Sequence, residues 1–383
     1  MGGMRLAKLL CGIVFLLVLA SNIATISRWN ESRGVFDDVC YLRQAHLFQQ
    51  FGLDGLNTDI KRDDDHYLVD KLKAIGFPEW NVVARIPCHT WIANTARYAI
   101  QYPPGTGFTL ALFPAGFQVI PLYILTSVVT VGFALLAISY ASTLYSLILA
   151  AVIGNVAIYL MINPTKASYS MAPTVIVCAL AGWLTAKLFV DGQRHRLALM
   201  ILVGLLIGLS VNFRLPNLLL SLGYFIYLGG AFLRARNRET FLHGAGFGGA
   251  FLIGMAPTLI ANTINAGSPF STTYGGDDVV LPSVNPAILW RYLIDVQAAL
   301  LAIAVAWTAW LWHFDQGSAR QAALVVAINL IVNLIFFMTH PVFTPYYMLP
   351  IDMLSLWTLL FVTLVPRGAA HPGGSGFPQP AKA

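Results

Sequence analysis

Hydrophobic positions in this chain gather in long unbroken runs. The first covers about Leu6 to Ile26, behind Arg5 and Lys8, and later runs fall near 121–140, 144–162, 172–190, 197–213, 216–233, 243–263, 294–312, 321–339 and 347–365. A helix of about 20 apolar residues crosses the roughly 30 Å hydrocarbon core of a bilayer. In lipid a segment must satisfy its own backbone N–H and C=O groups, and a helix does so. The alternation of a membrane β-barrel is absent. The pattern therefore predicts an all-α polytopic membrane protein, a bundle of about ten transmembrane helices with both ends cytoplasmic. Its transmembrane domain covers 1–366, and a Gly/Pro-rich cytoplasmic tail, 367–383, is expected to be disordered.

Polar positions concentrate between the first two runs. The stretch 27–105 reads as a large first extracytoplasmic loop, and 264–293 as a second external loop. Within the first, Asp37 to Gly52 reads as a short helix with acids in its first turn and glycine just past its end. His66 to Ile75 reads as another helix. Thr106–Pro121 fits either an interfacial helix or half a span. The basic start of the first run also suits a signal peptide, with Ala20–Ala24 as a cleavage region. Its length favours a retained signal-anchor helix, and either reading exports the polar segment behind it.

Composition excludes a soluble domain: 57% of residues are hydrophobic and 10% charged, against roughly 25% charged in soluble chains. The net charge of +6 does not indicate nucleic acid. The basic residues sit in short loops that become cytoplasmic in this topology: Arg194 and Arg196, then Arg234, Arg236 and Arg238, then Arg320 and Arg367. The later outside loops carry chiefly Lys166 and Arg291, the asymmetry of the positive-inside rule. No Walker or dinucleotide-binding glycine loop is present.

Cys11 and Cys178 fall inside apolar runs. Cys40 and Cys88 share the first polar loop. In an oxidising compartment they can pair, at a gain of about 4 kcal/mol from loop entropy; the other reading is two free buried thiols. Asp63-Asp64-Asp65 with His66 invites a metal reading. Three consecutive acids do not all face one ion on a regular element, so a turn ahead of a helix fits better. Asp277-Asp278 and His89 beside Cys88 are weaker ligand candidates, and no zinc-type spacing accompanies them.

Asp38, Tyr41, Ala45 and Gly52 stand at spacings of three, seven and a further seven residues, just after the first span and beside Asp37. Gln101-Tyr102-Pro103-Pro104-Gly105 closes the same loop, and Asn265-Ala266-Gly267-Ser268-Pro269-Phe270 with Tyr274-Gly275 and Phe343 to Pro350 follow in order. This set resembles the GT-C glycosyltransferases, among them the protein O-mannosyltransferases and the lipid A aminoarabinose transferases. Their Asp-Glu pair is Asp37-Asp38 here. The motifs cover about a tenth of the chain, and a large C-terminal soluble domain of the family's kind is not expected.

The resemblance implies a multi-pass enzyme of the plasma or bacterial inner membrane, with its active site outside. The implied partners are a polyprenyl-phosphate-linked sugar donor, a glycan, lipid or protein acceptor, and the bilayer, with no nucleic acid. It makes Asp37 the general base, with Asp38 as runner-up or acceptor-orienting group, because a carboxylate in hydrogen-bond reach can take the acceptor's proton. Phosphate and donor candidates are Arg214, Tyr102, His340, Tyr346 and Arg291, since the leaving phosphate needs cationic or hydrogen-bonding partners. For Arg214 a snorkelling role at headgroup level is the alternative, and for His340 and Tyr346 an interfacial aromatic belt. A divalent metal stays open, and no other cofactor is expected. A transporter or flippase for a lipid-linked molecule, or an O-antigen ligase or polymerase, is the competing function.

Overall fold

The computed structural model describes residues 2–30, 38–160, 168–190, 195–274, 282–315, 317–340, 342–344 and 346–365. Each apolar run is helical. The helices are α1 (Gly2–Ile26), α5 (Val119–Tyr140), α6 (Leu144–Leu160), α7 (Met171–Val190), α8 (Arg196–Val211), α9 (Leu222–Ala235), α10 (Arg238–Ala266), α12 (Val296–Phe314), α13 (Ser318–Thr339) and α14 (Leu349–Leu364). A short 3-10 segment, Leu215–Ser221, leads into α9. Among the described residues seven helices are long and apolar enough to cross a membrane: α1, α5, α7, α9 with its lead, α10, α12 and α13. α6, α8 and α14 are apolar but 17, 16 and 16 residues long. The chain is an all-α polytopic membrane protein.

Helix ends carry their sequence signals. Asn237 accepts from Thr240 N at the start of α10, and Gly267 ends it with a left-handed φ of +82°. Asp295 caps α12 in the same way, accepting from Gln297 N.

Contacts between ends fix the directions. Lys8 Nζ donates to the Ser139 carbonyl near the end of α5 at 2.9 Å, and Asn22 to Ile158 near the end of α6 at 3.5 Å. α1 therefore runs against α5 and along α6. Phe133 meets Trp357, and Tyr140 meets Phe361, so α5 and α14 run the same way. The ends of α1, α6, α8, α10 and α13, and the starts of α5, α7, α9, α12 and α14, all lie at one end of the bundle, which carries a polar cap. Almost every residue of α14 is buried, as suits a helix apolar all round and enclosed by its neighbours.

The bundle packs through small residues. A Cβ added at Gly204 or Gly208 of α8 would collide with the Phe247 or Phe251 carbonyl of α10, and one at Gly254 with the Leu205 carbonyl. Such close backbone approach drives association where lipid removes the hydrophobic gain between helices. Pro257 interrupts α10, and the Asn212 amide enters the gap. Its Nδ2 donates to the Gly254 carbonyl at 2.7 Å, and its Oδ1 accepts from Thr258 N at 2.9 Å. These are the two groups that would otherwise pair along the helix.

The cap holds α2 (Asp38–Phe51), α3 (Tyr67–Ala74), a hairpin of β1 (His89–Ile92) and β2 (Arg97–Ile100), and α4 (Gly105–Ala111). α2 and α3 match the two helices expected there. The Thr106–Pro121 stretch resolves into the last part of α4, a turn and the start of α5. The hairpin was not anticipated. Cys40 and Cys88 are joined in a disulfide, with Cα atoms 6.5 Å apart. Asn265 at the end of α10 ties the cap down: its Oδ1 accepts from Thr58 N at 2.9 Å, and its Nδ2 donates to the Leu56 carbonyl at 2.8 Å.

Candidate functional site

The site forms where α2, the 168–170 turn, the break after α8 and the 342–348 segment meet. Asp38 opens α2 and is buried. Its Oδ1 accepts from Ser168 Oγ at 3.0 Å and from Tyr169 N at 3.1 Å. Asp37, beside it, lies outside the described residues, as do Asp277, Asp278 and Lys166.

Arg214 sits where α8 has ended and the 3-10 segment has not begun, with extended backbone. Pro216 at the start of that segment and the Asn212 insertion into α10 hold the break open. Gly105 N donates to the Asn212 carbonyl at 2.7 Å, and a Cβ at Gly105 would lie 2.7 Å from that same oxygen. The Pro-Pro-Gly element thus docks on the break because glycine lets two backbones touch. Arg214 is 8% exposed. Its guanidinium carbon stands 5.2 Å from the ring centroids of both Tyr346 and Tyr347. Nη1 donates to Met171 Sδ at 2.7 Å and to the Tyr346 carbonyl at 3.5 Å. Among the described residues no carboxylate pairs with it. Ring quadrupoles attract a cation but do not neutralise it.

Two tyrosines lie in the field of both charges. Burial raises the Tyr41 phenol above its ordinary pKa and neighbouring Tyr274 adds to this, while a hydrogen bond with Ser170 and the Arg214 charge work against it and the Asp38 carboxylate reinforces it. Burial likewise raises Tyr346, with Arg214 opposing and Asp38 reinforcing. Both phenols stay protonated at neutral pH and can donate. The charges of Asp38 and Arg214 are thus both felt at these two phenols. Tyr102 stacks on Tyr41 at 4.8 Å, and its carbonyl accepts from Gln44 Nε2 at 2.8 Å.

The structure brings Asp38, Arg214, Tyr102 and Tyr346 together. It places His340 against the Phe336 ring at 5.3 Å, at the end of α13. Arg291 is exposed on the short helix α11 (Pro286–Leu293). Among the described contacts neither reaches Asp38 or Arg214. Sequence reasoning passed over Tyr292, next to Arg291. This residue is buried, and its hydroxyl donates to the Val342 carbonyl at 2.9 Å. Burial pushes its pKa to about 12.

It also passed over Asp352, buried in the first turn of α14, where neither oxygen has a hydrogen-bond partner among the described residues. Nothing in the apolar run around it distinguishes an inward from an outward carboxyl.

Asp63 and Asp65 do turn-and-cap work: Asp63 Oδ1 accepts from Leu68 N at 2.9 Å, and Asp65 Oδ1 from Tyr67 N at 3.3 Å. Asp65 Oδ2 also meets His46 Nε2 at 2.5 Å. Ligand-type atoms of Cys40, Cys88 and His89 lie within 4.8 Å of one another. The two sulfurs are spent on the disulfide, so they offer no thiolates to a metal. His89 is committed as well: it meets the Pro87 carbonyl through Nδ1 at 2.9 Å and Arg43 through Nε2 at 3.0 Å.

Fold and cluster together define a polytopic helical membrane protein with a buried arginine, a buried carboxylate and several tyrosines at the capped end of its bundle. Comparison with protein-family models, with curated proteins and with solved structures finds no match.

Proposed function

We propose that this chain is an integral-membrane glycosyltransferase of GT-C type, moving a hexosyl or pentosyl group from a polyprenyl-phosphate carrier to a glycan, lipid or protein acceptor outside the cytoplasm. The observation that carries this reading is the buried Arg214, held between the Tyr346 and Tyr347 rings with no carboxylate on it among the described residues. A buried cation at the bilayer edge is costly without an anion, and a lipid-borne phosphate is an anion that arrives at that depth.

In this reading all ten apolar helices cross the membrane. The end of the bundle bearing Arg5, Arg196, Arg234, Arg236, Arg238 and Arg320 faces the cytoplasm, as the positive-inside rule asks. The cap then faces the outside of the plasma or bacterial inner membrane. A disulfide inside the cap suits that oxidising side.

The reaction breaks the bond between the anomeric carbon and the phosphate oxygen, whose electron pair stays on the phosphate. The acceptor oxygen bonds to the anomeric carbon from the opposite face, and its proton passes to a carboxylate. Asp37 takes that proton. Asp38, held through Oδ1 by Ser168 and Tyr169, orients the acceptor. Arg214, with the Tyr41 and Tyr346 hydroxyls as neutral donors, stabilises the charge growing on the phosphate.

Asp352 gives a transporter for lipid-linked substrates its one structural support, since intramembrane acids mark translocation paths. It is the fourth residue of α14, however, only about 5 Å along the helix from its capped end. Transporter sites lie near the midplane.

The test uses purified full-length protein in lipid nanodiscs with synthetic polyprenyl-phosphate sugars. Acceptor-dependent release of free polyprenyl phosphate is expected, lowered about 100-fold or more in Asp37→Asn and also reduced in Asp38→Asn. Full activity in both variants would overturn the assignment.

A further inference from the structure

Asp38 is the inner end of a line of side-chain oxygens. Ser168 Oγ donates to Asp38 Oδ1 at 3.0 Å, and it stands 3.2 Å from Ser170 Oγ. Ser170 is in turn hydrogen-bonded to the Tyr41 hydroxyl. Asp38 and Tyr41 are three residues apart on α2, so they lie one turn apart on one face of the helix. The segment 168–170 that meets the first therefore also reaches the second. All four residues are buried, and Ser168 is the most exposed of them at 6%.

The hydrogens can be placed by counting. An ionised carboxylate only accepts, and a hydroxyl has a single hydrogen to give. Ser168 spends its hydrogen on Asp38. The Ser168–Ser170 contact is then filled by the hydrogen of Ser170, and the Ser170–Tyr41 contact by that of Tyr41. Every contact carries a hydrogen only when all the hydroxyls point towards Asp38. Bonds aligned in this way polarise one another in a buried network. In the ligand-free protein the Tyr41 hydrogen is thus turned inward.

Turning that hydrogen outward breaks one neutral hydrogen bond. A bond to a neutral oxygen gains about as much as is lost, whereas a bond to a charged phosphate oxygen is roughly twice as strong. Tyr41 is therefore a donor that answers to an anion and stays closed to an uncharged group. The line needs no proton to leave its oxygen: only the rotation of hydroxyls changes.

We propose that Ser168 and Ser170 are positioning residues through which Asp38 governs the Tyr41 hydroxyl, holding its hydrogen inward until an anion at Arg214 draws it out. This inference rests on the glycosyltransferase reading for the identity of the anion, a lipid-borne phosphate. The alignment it asserts is measured without any ligand.

The test begins with infrared spectroscopy of the full-length protein in nanodiscs, carrying ring-labelled tyrosine. The Tyr41 band is assigned by its loss in Tyr41→Phe, and its position separates a donating phenol from one that only accepts. The ligand-free parent should show a donor. Ser170→Ala and Ser168→Ala should both move the band, although Ser168 meets Tyr41 only through Ser170 among the described contacts. Ser168→Thr and Ser170→Thr keep the hydroxyl, serve as controls for folding, and should read like the parent. In a binding assay Ser170→Ala should take polyprenyl phosphate about fivefold more tightly than the parent, the worth of one neutral hydrogen bond. Tyr41→Phe should erase that gain, whereas a serine with a merely structural role would weaken binding when truncated. A Tyr41 band unmoved by Ser168→Ala, or Ser170→Ala binding no tighter than the parent, overturns the proposal. Failure of the parent to bind polyprenyl phosphate at all would sink the transferase reading, and the infrared result alone would then decide the alignment.

Discussion

Two buried arginines sit in two regions of this molecule, and their surroundings differ in kind. Arg43, inside the cap, is 0% exposed. It donates to the Thr58 and Asp59 carbonyls, each at 2.9 Å, and meets His89 at 3.0 Å. Burial lowers its pKa to about 10, with the acids at 63 and 59 opposing. Arg214, at the rim of the bundle, has two aromatic faces, a thioether and one carbonyl at 3.5 Å. The first arginine is a strut whose oxygen acceptors are built into the fold. The second is held in position with little to accept its protons. Burial alone does not separate the two; the partners do.

Breaking the cap's covalent tie should have the largest effect. Cys40→Ser or Cys88→Ser should cost about 4 kcal/mol of cap stability, from the loop of 48 residues that the bond closes. Denaturant unfolding followed by near-UV circular dichroism measures it. Arg43→Met comes next, at about 3 kcal/mol, because two carbonyls and a histidine lose a charged donor. In the same unfolding assay Arg214→Met should stay within about 0.5 kcal/mol of the parent or gain stability, since it removes a buried charge that lacks a strong partner. Equal losses for the two arginines would erase the distinction.

A smaller effect is pH dependence. Burial, with the Arg43 charge beside it, lowers His89 from 6.5 to about 3, against the Pro87 hydrogen bond. The folded cap keeps this imidazole neutral while the unfolded chain protonates it. Stability is therefore full above about pH 6.5 and falls as pH drops towards 3, by at most about 1.4 kcal/mol per unit. His89→Gln should flatten that slope in a urea series run from pH 7 to pH 5.

Much of this architecture was legible in the sequence. Every apolar run became a helix because lipid leaves the backbone little alternative, and α2 was marked by its acid start and glycine end. The hairpin 89–100 was not, since four-residue strands in a polar stretch carry too little alternation to register. Which apolar helix is central was also hidden: α14 is apolar all round, but so are several lipid-facing runs. At the site, Asp38, Tyr102, Arg214 and Tyr346 were named from spacing and charge, and the fold brings them together. Arg291 and His340 were named on the same grounds and stand apart. The roles of Asn212 and Arg43 each depend on a partner 46 residues away in the chain, and no local pattern encodes those. The disulfide was an open alternative because spacing does not fix the distance between two cysteines.

If Arg214 is kept for a lipid-borne phosphate, the phosphate itself must add affinity through that side chain. Binding of polyprenyl phosphate to the full-length protein in nanodiscs, set against the same polyprenol without its phosphate, measures this. The phosphate should improve binding about 30-fold, worth roughly 2 kcal/mol for charge-assisted hydrogen bonds, and Arg214→Gln should remove the difference. Equal binding of alcohol and phosphate by the parent protein, or an undiminished preference in Arg214→Gln, would contradict that role.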